Sequence, residues 1–156
     1  MTDAVVASDE SNHAKEIDLE KEYDVIIVGA GAAGVGVAIA LTHVGIENYL
    51  IVDRDSVGSS FAEWPEETRF ITPSFPSNSI GMLDLNSIAI GVSPAYTMRV
   101  EHPTGNDFAE HLRSLSQFFE LPVLENTNIT GINKIDNIFN VETEDISLTC
   151  KNVIWA

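Results

Sequence analysis

The sequence predicts an α/β fold in which a parallel sheet carries helices on both faces and a small antiparallel β-meander. Two observations predict the parallel part. The apolar, β-rich run Tyr23–Val28 leads into a glycine-rich turn at 29–34 and an apolar helical stretch, which is expected to run to about Val44 and to stop at Gly45. A second apolar run, Tyr49–Val52, then ends on the acid Asp53. A third observation predicts the meander, because residues 121–156 alternate short strand candidates with turn residues.

Length and composition indicate one globular domain. The 156 residues, 44% of them hydrophobic, are enough for one core and too few for two complete domains. Residues 1–22 are polar and acidic, and they are predicted to form a disordered N-terminal extension because they cannot bury enough apolar area to offset the entropy of ordering. An acidic interaction arm is the alternative for this segment. Residues 23–156 are predicted to form the domain.

The charge of the chain limits its partners. Eight Lys and Arg face 24 Asp and Glu, which gives a formal net charge of -16. Nucleic acids and anionic membranes are polyanions, so both are excluded as expected partners. An acid excess of this size would also suit a protein that lives in concentrated salt, where self-repulsion is screened. That hypothesis predicts a melting temperature that rises with added salt.

The cysteine count and the N-terminus predict a cytoplasmic protein. Cys150 is the single cysteine, so an internal disulfide is impossible and a reducing compartment fits. The first twenty or so residues lack the basic and apolar regions of a secretory signal. The apolar stretch 25–41 contains four glycines and is slightly too short to cross a bilayer, so a buried strand and helix explain it better.

The turn after the first strand has the spacing GxGxxG. Gly29 is expected to make the tight turn, Gly31 to let a pyrophosphate approach the backbone, and Gly34 to let the helix lie close to the sheet. The free N–H groups at the start of this helix, around Ala32 and Ala33, form a natural phosphate site without any lysine. The turn therefore predicts a Rossmann-like dinucleotide site, with a glycine-rich turn in an unrelated α/β fold as the alternative.

The acid after the second strand is placed to bind a ribose. Asp53 can accept hydrogen bonds from the ribose hydroxyls of an adenosine, and a carboxylate there disfavours the 2′-phosphate of NADP. Arg54 follows directly. It is expected either to stack on the adenine or to be a surface residue that offsets the neighbouring acids.

An extended loop is predicted over residues 56–79, which have no helical or strand periodicity. Its four aromatic residues need cover, either from the edge of the core or from a flat ligand. They are Phe61, Trp64, Phe70 and Phe75. Residues 80–96 are predicted to be an irregular loop with one short helical turn.

A helix is predicted to begin after Thr104, with Asp107 completing a capping box. Apolar residues then recur at helical spacing, and all are expected in the core: Phe108, Leu112, Leu115, Phe118 and Phe119. His111 lies inside this helix and is expected to be a surface histidine or a satisfied core histidine, since no second metal ligand stands at a suitable spacing.

Five strand candidates follow this helix, with a hairpin signal at Asp136-Asn137. They are Val123–Glu125, Ile129–Ile135, Phe139–Thr143, Ser147–Cys150 and Val153–Ala156. The last is expected to return the chain to the parallel sheet.

Together these motifs resemble a known family. The glycine turn with Ala38, the acid Asp53 and the run Gly58-Ser59-Ser60-Phe61, followed by an aromatic and proline-rich loop, are similar to the FAD-binding half of two-dinucleotide-domain flavoproteins. That group includes thioredoxin-reductase-like enzymes and flavin-containing monooxygenases. In it a Gly-Gly-x-aromatic element usually passes beside the flavin, and this chain has Gly58-Ser59 in place of the double glycine.

The resemblance implies further cofactor contacts. It places Gly58, Ser59, Ser60 and Phe61 beside the flavin and Thr72 near the isoalloxazine end. It brings the backbone near Ile129 to the adenine, and it makes Ala156 the first residue of an Ala-Thr-Gly element at the cofactor.

The resemblance also implies a function. The chain is expected to be the FAD-binding portion of a flavin-dependent, NAD(P)H-linked oxidoreductase, truncated at its C-terminal end and incomplete as an enzyme. NAD(P)H is expected as co-substrate only if a second domain or a partner chain supplies its site. No catalytic side chain or metal is expected, because the flavin carries the chemistry. A non-catalytic nucleotide- or partner-binding module is the alternative, and a stand-alone NAD-dependent dehydrogenase is disfavoured because the meander breaks the βαβ alternation.

Overall fold

The structure is a computed structural model that describes residues 17–75, 84 and 86–156. Within them six strands form one sheet in the order β3-β2-β1-β6-β5-β4, joined by three parallel and two antiparallel pairings. This confirms the predicted α/β class. The elements are β1 Glu22–Val28, α1 Ala32–His43, β2 Tyr49–Val52, α2 Ser59–Ala62, α3 Pro94–Met98, α4 Gly105–Phe118, β3 Val123–Leu124, β4 Ile129–Ile135, β5 Ile138–Thr143 and β6 Ser147–Trp155.

The two faces of the sheet are covered differently. On one face, side chains of β1 and β2 pack with α1 and α4 in a cluster that includes Val35, Ile39 and Leu112. On the other face, Ile26 and Leu50 pack against Val141 and other side chains of the meander. The second cluster contains no helical residue among the described part of the chain, and side chains of the meander supply the cover there.

Helix α1 begins and ends where its glycines predict. The glycine turn precedes it, and Gly45 follows its last turn with a φ of +79°, a left-handed conformation that suits glycine. The N–H of Val44 reaches back to the carbonyl groups of Ala40 and Leu41. Because Ala38 is small and fully buried, the helix axis lies close to the sheet.

Helix α4 has the predicted capping box. The hydroxyl of Thr104 accepts from the N–H of Asp107 at 3.1 Å, and the Asp107 carboxylate accepts from the N–H of Thr104 at 2.8 Å. The prediction for Phe118 is wrong, since 78% of this residue is exposed. At about 100° per residue, Phe118 projects roughly 80° away from Phe108, outside the stripe that faces the core.

The loop over residues 56–79 contains a short helix that its sequence did not predict. Gly58 starts α2 with a φ of +75°, and α2 packs on α4. A methyl group on Gly105 would overlap the carbonyl oxygen of Phe61, so the α4 glycine permits this approach. Residues 76–79 lie outside the described residues.

The aromatic residues of this loop close the edge of the core. The rings of Phe61 and Phe70 each lie 4.8 Å from that of Phe108, and Trp64 stacks on Phe70 at 5.0 Å. The sequence predicted that these rings are covered either by the edge of the core or by a flat ligand. The contacts in this structure are with the edge of the core. Phe75 is different, because 45% of it is exposed.

The meander follows the prediction except at its end. β4 has the predicted bounds, and Asp136 and Asn137 have φ values of +47° and +69°, as a tight two-residue hairpin requires. The two last strand candidates form one strand, β6. This strand is continuous because its first half pairs with β5 while most of its length pairs with β1, so Lys151 and Asn152 stay in the ladder despite their polarity.

The described end of the predicted N-terminal extension contacts the domain. Ile17 packs against the second cluster, and the Tyr23 hydroxyl donates to the carbonyl oxygen of Asp18 at 2.8 Å. Residues 1–16 lie outside the described residues. None of the described helices is long and apolar enough to cross a membrane.

Candidate functional site

The carboxyl ends of three parallel strands, β2, β1 and β6, meet at one edge of the sheet. The chain leaves β1 through α1 to one side and reaches β6 on the other, which makes this edge a switch point of the kind where α/β sheets bind ligands. A groove of about 290 Å³ opens there, and we call it the carboxyl-edge groove. It is lined by Val28, Gly29, Val52, Asp53, Arg54, Thr127, Asn128, Ile129, Trp155 and Ala156.

Two glycines of the turn are required by close backbone packing. Gly29 has a φ of +110°, and a Cβ atom on it would lie 2.5 Å from the carbonyl oxygen of Ala156. A Cβ atom on Gly34 would overlap the carbonyl oxygen of Gly29. The turn, the start of α1 and the end of β6 are therefore held together by contacts that admit no side chain.

The third glycine has open space around it. Gly31 is the N-cap of α1, no side chain caps the helix there, and its first turn contains no acid. The nearest atom to a Cβ built on Gly31 would be the hydroxyl of Ser60, at 3.9 Å. The N–H groups of Ala32 and Ala33 have no carbonyl partner within an α-helix, so they can donate to an anion at the helix terminus.

Asp53 joins the end of β2 to the glycine turn. One carboxylate oxygen accepts from the N–H of Ala30 at 2.5 Å, and the other accepts from the N–H of Asp55 at 2.8 Å. An ionised carboxylate has about four acceptor positions, so two are left for a ligand. The sequence did not indicate the bond to Ala30, whose N–H is carried by a fully buried residue.

Arg54 lines the carboxyl-edge groove from the surface. Its side chain is 73% exposed, and its Nε donates to the Asp55 carboxylate at 3.0 Å. An exposed ion pair of this kind adds little stability, about 0 to 1 kcal/mol. The pair matches one of the two roles expected for Arg54, the offset of neighbouring acids, and stacking on an adenine stays a prediction.

The start of α2 lies against the glycine turn. The N–H of Gly58 donates to the carbonyl oxygen of Ala30 at 3.0 Å, and Ser60 lies beside Gly31. Ser59 begins α2, while the ring of Phe61 points into the aromatic cluster. The residues that the resemblance places beside a flavin are thus next to the turn, and their role stays a prediction.

Thr72 belongs to a separate loop that a buried acid holds in place. The Thr72 hydroxyl donates to the carbonyl oxygen of Ser74 at 3.0 Å. Asp84, only 1% exposed, accepts from the N–H groups of Phe75 and Asn86, each at 3.0 Å, and from the hydroxyl of Ser93. Burial raises the pKa of Asp84, but the hydrogen bonds together outweigh it and hold that pKa below its usual range.

Sequence reasoning missed Asp84. The only pattern that marks it is an acid between two leucines, in a stretch that otherwise reads as irregular loop. It lies outside the carboxyl-edge groove, and its hydrogen bonds show that it organises the loop next to Thr72.

A second cavity, of about 510 Å³, lies between α3 and α4 and has a mostly apolar lining. His111 borders it and is 5% exposed. Its Nδ1 lies 3.0 Å from the hydroxyl of Thr97, and its Nε2 is buried with no partner among the described residues. His111 is therefore a core histidine, as one of the two predictions had it, but only one of its two ring nitrogens is satisfied.

Burial lowers the pKa of His111, and this predicts a loss of stability in mild acid. Below about pH 6.5 the unfolded chain takes up a proton at His111 that the folded chain accepts only at its lower pKa, so the free energy of unfolding falls in that window. We expect the melting temperature to fall between pH 7 and pH 5.5, and His111→Leu to flatten that dependence. The pKa values of Asp84 and Asp107 are lowered, so the stability that these two carboxylates contribute is lost at a lower pH than this window.

Thermal unfolding followed by circular dichroism at several pH values measures this effect. The control substitution is His43→Gln, which replaces an exposed histidine outside the core. An unchanged dependence in the His111→Leu variant would show that the buried histidine is not its cause.

Cys150 lies in the second core cluster and is fully buried. Burial raises the pKa of its thiol, which disfavours the reactive thiolate. The described residues contain no group of three or more His, Cys, Asp or Glu side chains placed to hold a metal ion.

The fold and the carboxyl-edge groove define an α/β protein with a Rossmann-like sheet, in which a glycine turn, an uncapped helix terminus and the acid Asp53 meet at one switch point. A sequence model of the family described as pyridine nucleotide-disulphide oxidoreductase matches residues 26–156. The chain belongs to that family. This confirms the resemblance to FAD/NAD(P)-binding oxidoreductases.

Individual relatives agree with this family. An uncharacterized oxidoreductase, CzcO-like, from Geobacillus kaustophilus is 26% identical over 133 residues, which are 85% of this chain and 35% of the relative. The chain thus spans about a third of the length of that curated relative.

Two solved structures show the same fold. The bacillithiol disulfide reductase Bdr (YpdA) from Staphylococcus aureus has a TM-score of 0.71 at 21% identity, over 87% of this chain and 38% of that one. A flavin-containing monooxygenase from Stenotrophomonas maltophilia has a TM-score of 0.69 at 19% identity, over 86% of this chain and 38% of that one.

Proposed function

We propose that this chain binds FAD and forms the FAD-binding portion of a flavin-dependent, NAD(P)H-linked oxidoreductase of the reductase or monooxygenase type. One observation carries the proposal: the uncapped N-terminus of α1 and the Asp53 carboxylate converge on the same sheet edge, next to a groove. The names of the relatives, which include a disulfide reductase and a flavin-containing monooxygenase, support it.

The pyrophosphate of FAD is assigned to the start of α1. Backbone N–H groups from Gly31 to Gly34 would donate to its oxygens, and the positive end of the helix dipole favours its charge. These donors are uncharged, so a chain with a net charge of -16 can bind a dianion without a basic patch. The open space at Gly31 is where a phosphate would approach the backbone.

The adenosine part is assigned to the carboxyl-edge groove. Asp53 keeps two acceptor positions for the ribose hydroxyls, and the groove continues past Arg54 to the backbone at Ile129. Its volume of about 290 Å³ is at the low end for small-molecule sites, which suits a nucleoside rather than a whole dinucleotide.

The flavin end is assigned to the other side of the turn. Gly58, Ser59 and Ser60 begin the segment that lies against the turn at Ala30 and Gly31. Thr72 is assigned to the flavin end by the resemblance, and its carbonyl oxygen accepts from the side-chain amide of Asn86 in the Asp84 loop. Ala156 closes the turn from β6. The bound flavin would supply the hydride and electron chemistry, while this chain binds and orients it. NAD(P)H acts as co-substrate only where a second dinucleotide-binding domain supplies its site.

Ligand binding tests this assignment. FAD and FMN share the flavin ring, but only FAD carries the adenosine half that the turn and groove would hold. We expect FAD to bind with a single site by isothermal titration calorimetry, ADP to compete with it, and FMN to bind at least tenfold more weakly. Equal binding of FMN and FAD, or no binding of FAD or ADP, would contradict the proposal.

A further inference from the structure

We infer that Trp155 forms an aromatic wall of the carboxyl-edge groove and stacks on the adenine of the bound dinucleotide. This inference rests on the proposed function and assigns a specific residue to base recognition. It starts from a contrast in the structure: Trp155 is a large aromatic residue that is 72% exposed, although the two residues before it, Val153 and Ile154, are partly buried against the core.

The strand register fixes where this side chain stands. Trp155 pairs with Val28 at the carboxyl end of β1, and it lies on the same face as Val153 because side chains alternate along a strand. Val153 and Val28 pack against the second cluster. The cluster ends before Trp155, so the indole projects beyond the core at the edge where the groove opens.

The groove has two chemically different sides. Trp155, Val28 and Ile129 give it apolar lining, and Asp53, Thr127 and Asn128 give it hydrogen-bonding groups. Asp53 directly follows β2 and Trp155 ends β6, the strands on either side of β1, and two strand spacings are about 10 Å. A nucleoside reaches both sides if its ribose lies at Asp53 and its base lies towards Trp155.

Stacking gives the indole the cover that the core does not. A purine offers a flat face of similar size, and stacking of a base on an aromatic side chain contributes binding energy without reading the base edge. This assigns the apolar contact with adenine to Trp155 and leaves Arg54, which is paired with Asp55, at the solvent side of the groove.

Tryptophan fluorescence tests the contact directly, because the chain has two tryptophans, Trp64 and Trp155. In a Trp64→Phe variant the emission reports on Trp155 alone. ADP is the probe, since it lacks a flavin that would absorb the emission. We expect saturating ADP to quench the emission and inorganic pyrophosphate to leave it unchanged. If Trp64→Phe fails to fold, the difference between the parent chain and Trp155→Phe gives the same signal.

Binding variants separate this inference from the proposed function. We expect Trp155→Ala to fold with an unchanged melting temperature and to bind ADP about tenfold or more weakly, and Trp155→Phe to retain most of the affinity. ADP binding of normal strength in Trp155→Ala, together with Trp155 emission in Trp64→Phe that ADP leaves unchanged, would overturn the inference while leaving the proposed function standing. Absence of ADP binding in the parent chain would overturn both.

Discussion

Gly34→Ala is expected to unfold the domain or to lower its free energy of unfolding by about 3 kcal/mol or more. The added Cβ atom would overlap the carbonyl oxygen of Gly29, which is backbone and cannot rotate away. Overpacking against flexible side chains already costs about 1 to 3 kcal/mol, and here the turn and α1 must separate instead. For a domain of this size we expect the melting temperature to fall by about 10 °C, measured by calorimetry.

Gly36→Ala is the matched control on the same helix. Its Cβ atom would lie 3.5 Å from a methyl group of Ile88, an ordinary van der Waals contact. Alanine is also the better helix former by about 1 kcal/mol, so this variant is expected to be as stable as the parent chain or more so. Similar melting temperatures for Gly34→Ala and the parent chain would show that the turn and helix are not packed as described.

Gly31→Ala, unlike Gly34→Ala, is expected to keep normal stability but to bind FAD weakly. A methyl group there meets no protein atom closer than 3.9 Å, and the φ of -77° at Gly31 is allowed for any residue. The methyl group would occupy the space through which a pyrophosphate approaches the backbone. We expect the affinity for FAD to fall at least tenfold, or about 1.4 kcal/mol, with a change in melting temperature of about 2 °C or less.

The Gly36→Ala variant serves here as well, because it lies a turn further along α1 and contacts Ile88 rather than the groove. Its affinity for FAD is expected to equal that of the parent chain. A folded Gly31→Ala protein that binds FAD as tightly as the parent would remove the pyrophosphate from this helix terminus.

Local patterns predicted the parts of the fold that depend on neighbouring residues. The glycine turn, the stop at Gly45, the capping box of α4 and the hairpin at Asp136-Asn137 each depend on backbone conformations that a few adjacent residues set. The sequence also placed Asp53 at the end of a buried strand. These features were predictable because their physical causes are local.

The remaining features depend on contacts between distant segments. The polar pair Lys151-Asn152 looked like a break between strands, but pairing with β1 from Thr149 to Trp155 keeps β6 continuous. The α2 helix exists where Gly58 meets α4, and Asp84 is buried because a loop folds around it. The residue pattern of a single segment contains no information about such contacts with distant segments.

The sequence predicted individual residues of the candidate site but not the hydrogen bonds that join them. The sequence predicted separate ligand contacts at Gly31 and Asp53, and both stay predictions. The hydrogen bond from Ala30 to Asp53, and that from Gly58 to Ala30, link the turn, the acid and α2 through one buried residue. Trp155 could be assigned to the site only from the strand order of the sheet, which places the end of β6 next to β1.

Amide chemical shifts on addition of ADP give the most direct test of the central claim, that the glycine turn and Asp53 bind the adenosine diphosphate part of FAD. A 17.0 kDa chain is suited to proton–nitrogen correlation spectra. We predict the largest shifts at the amides of residues 30–34 and 53–55, with little change at Gly45 and Gly91. Shifts centred on the cavity beside His111, or none at saturating ADP, would contradict the claim.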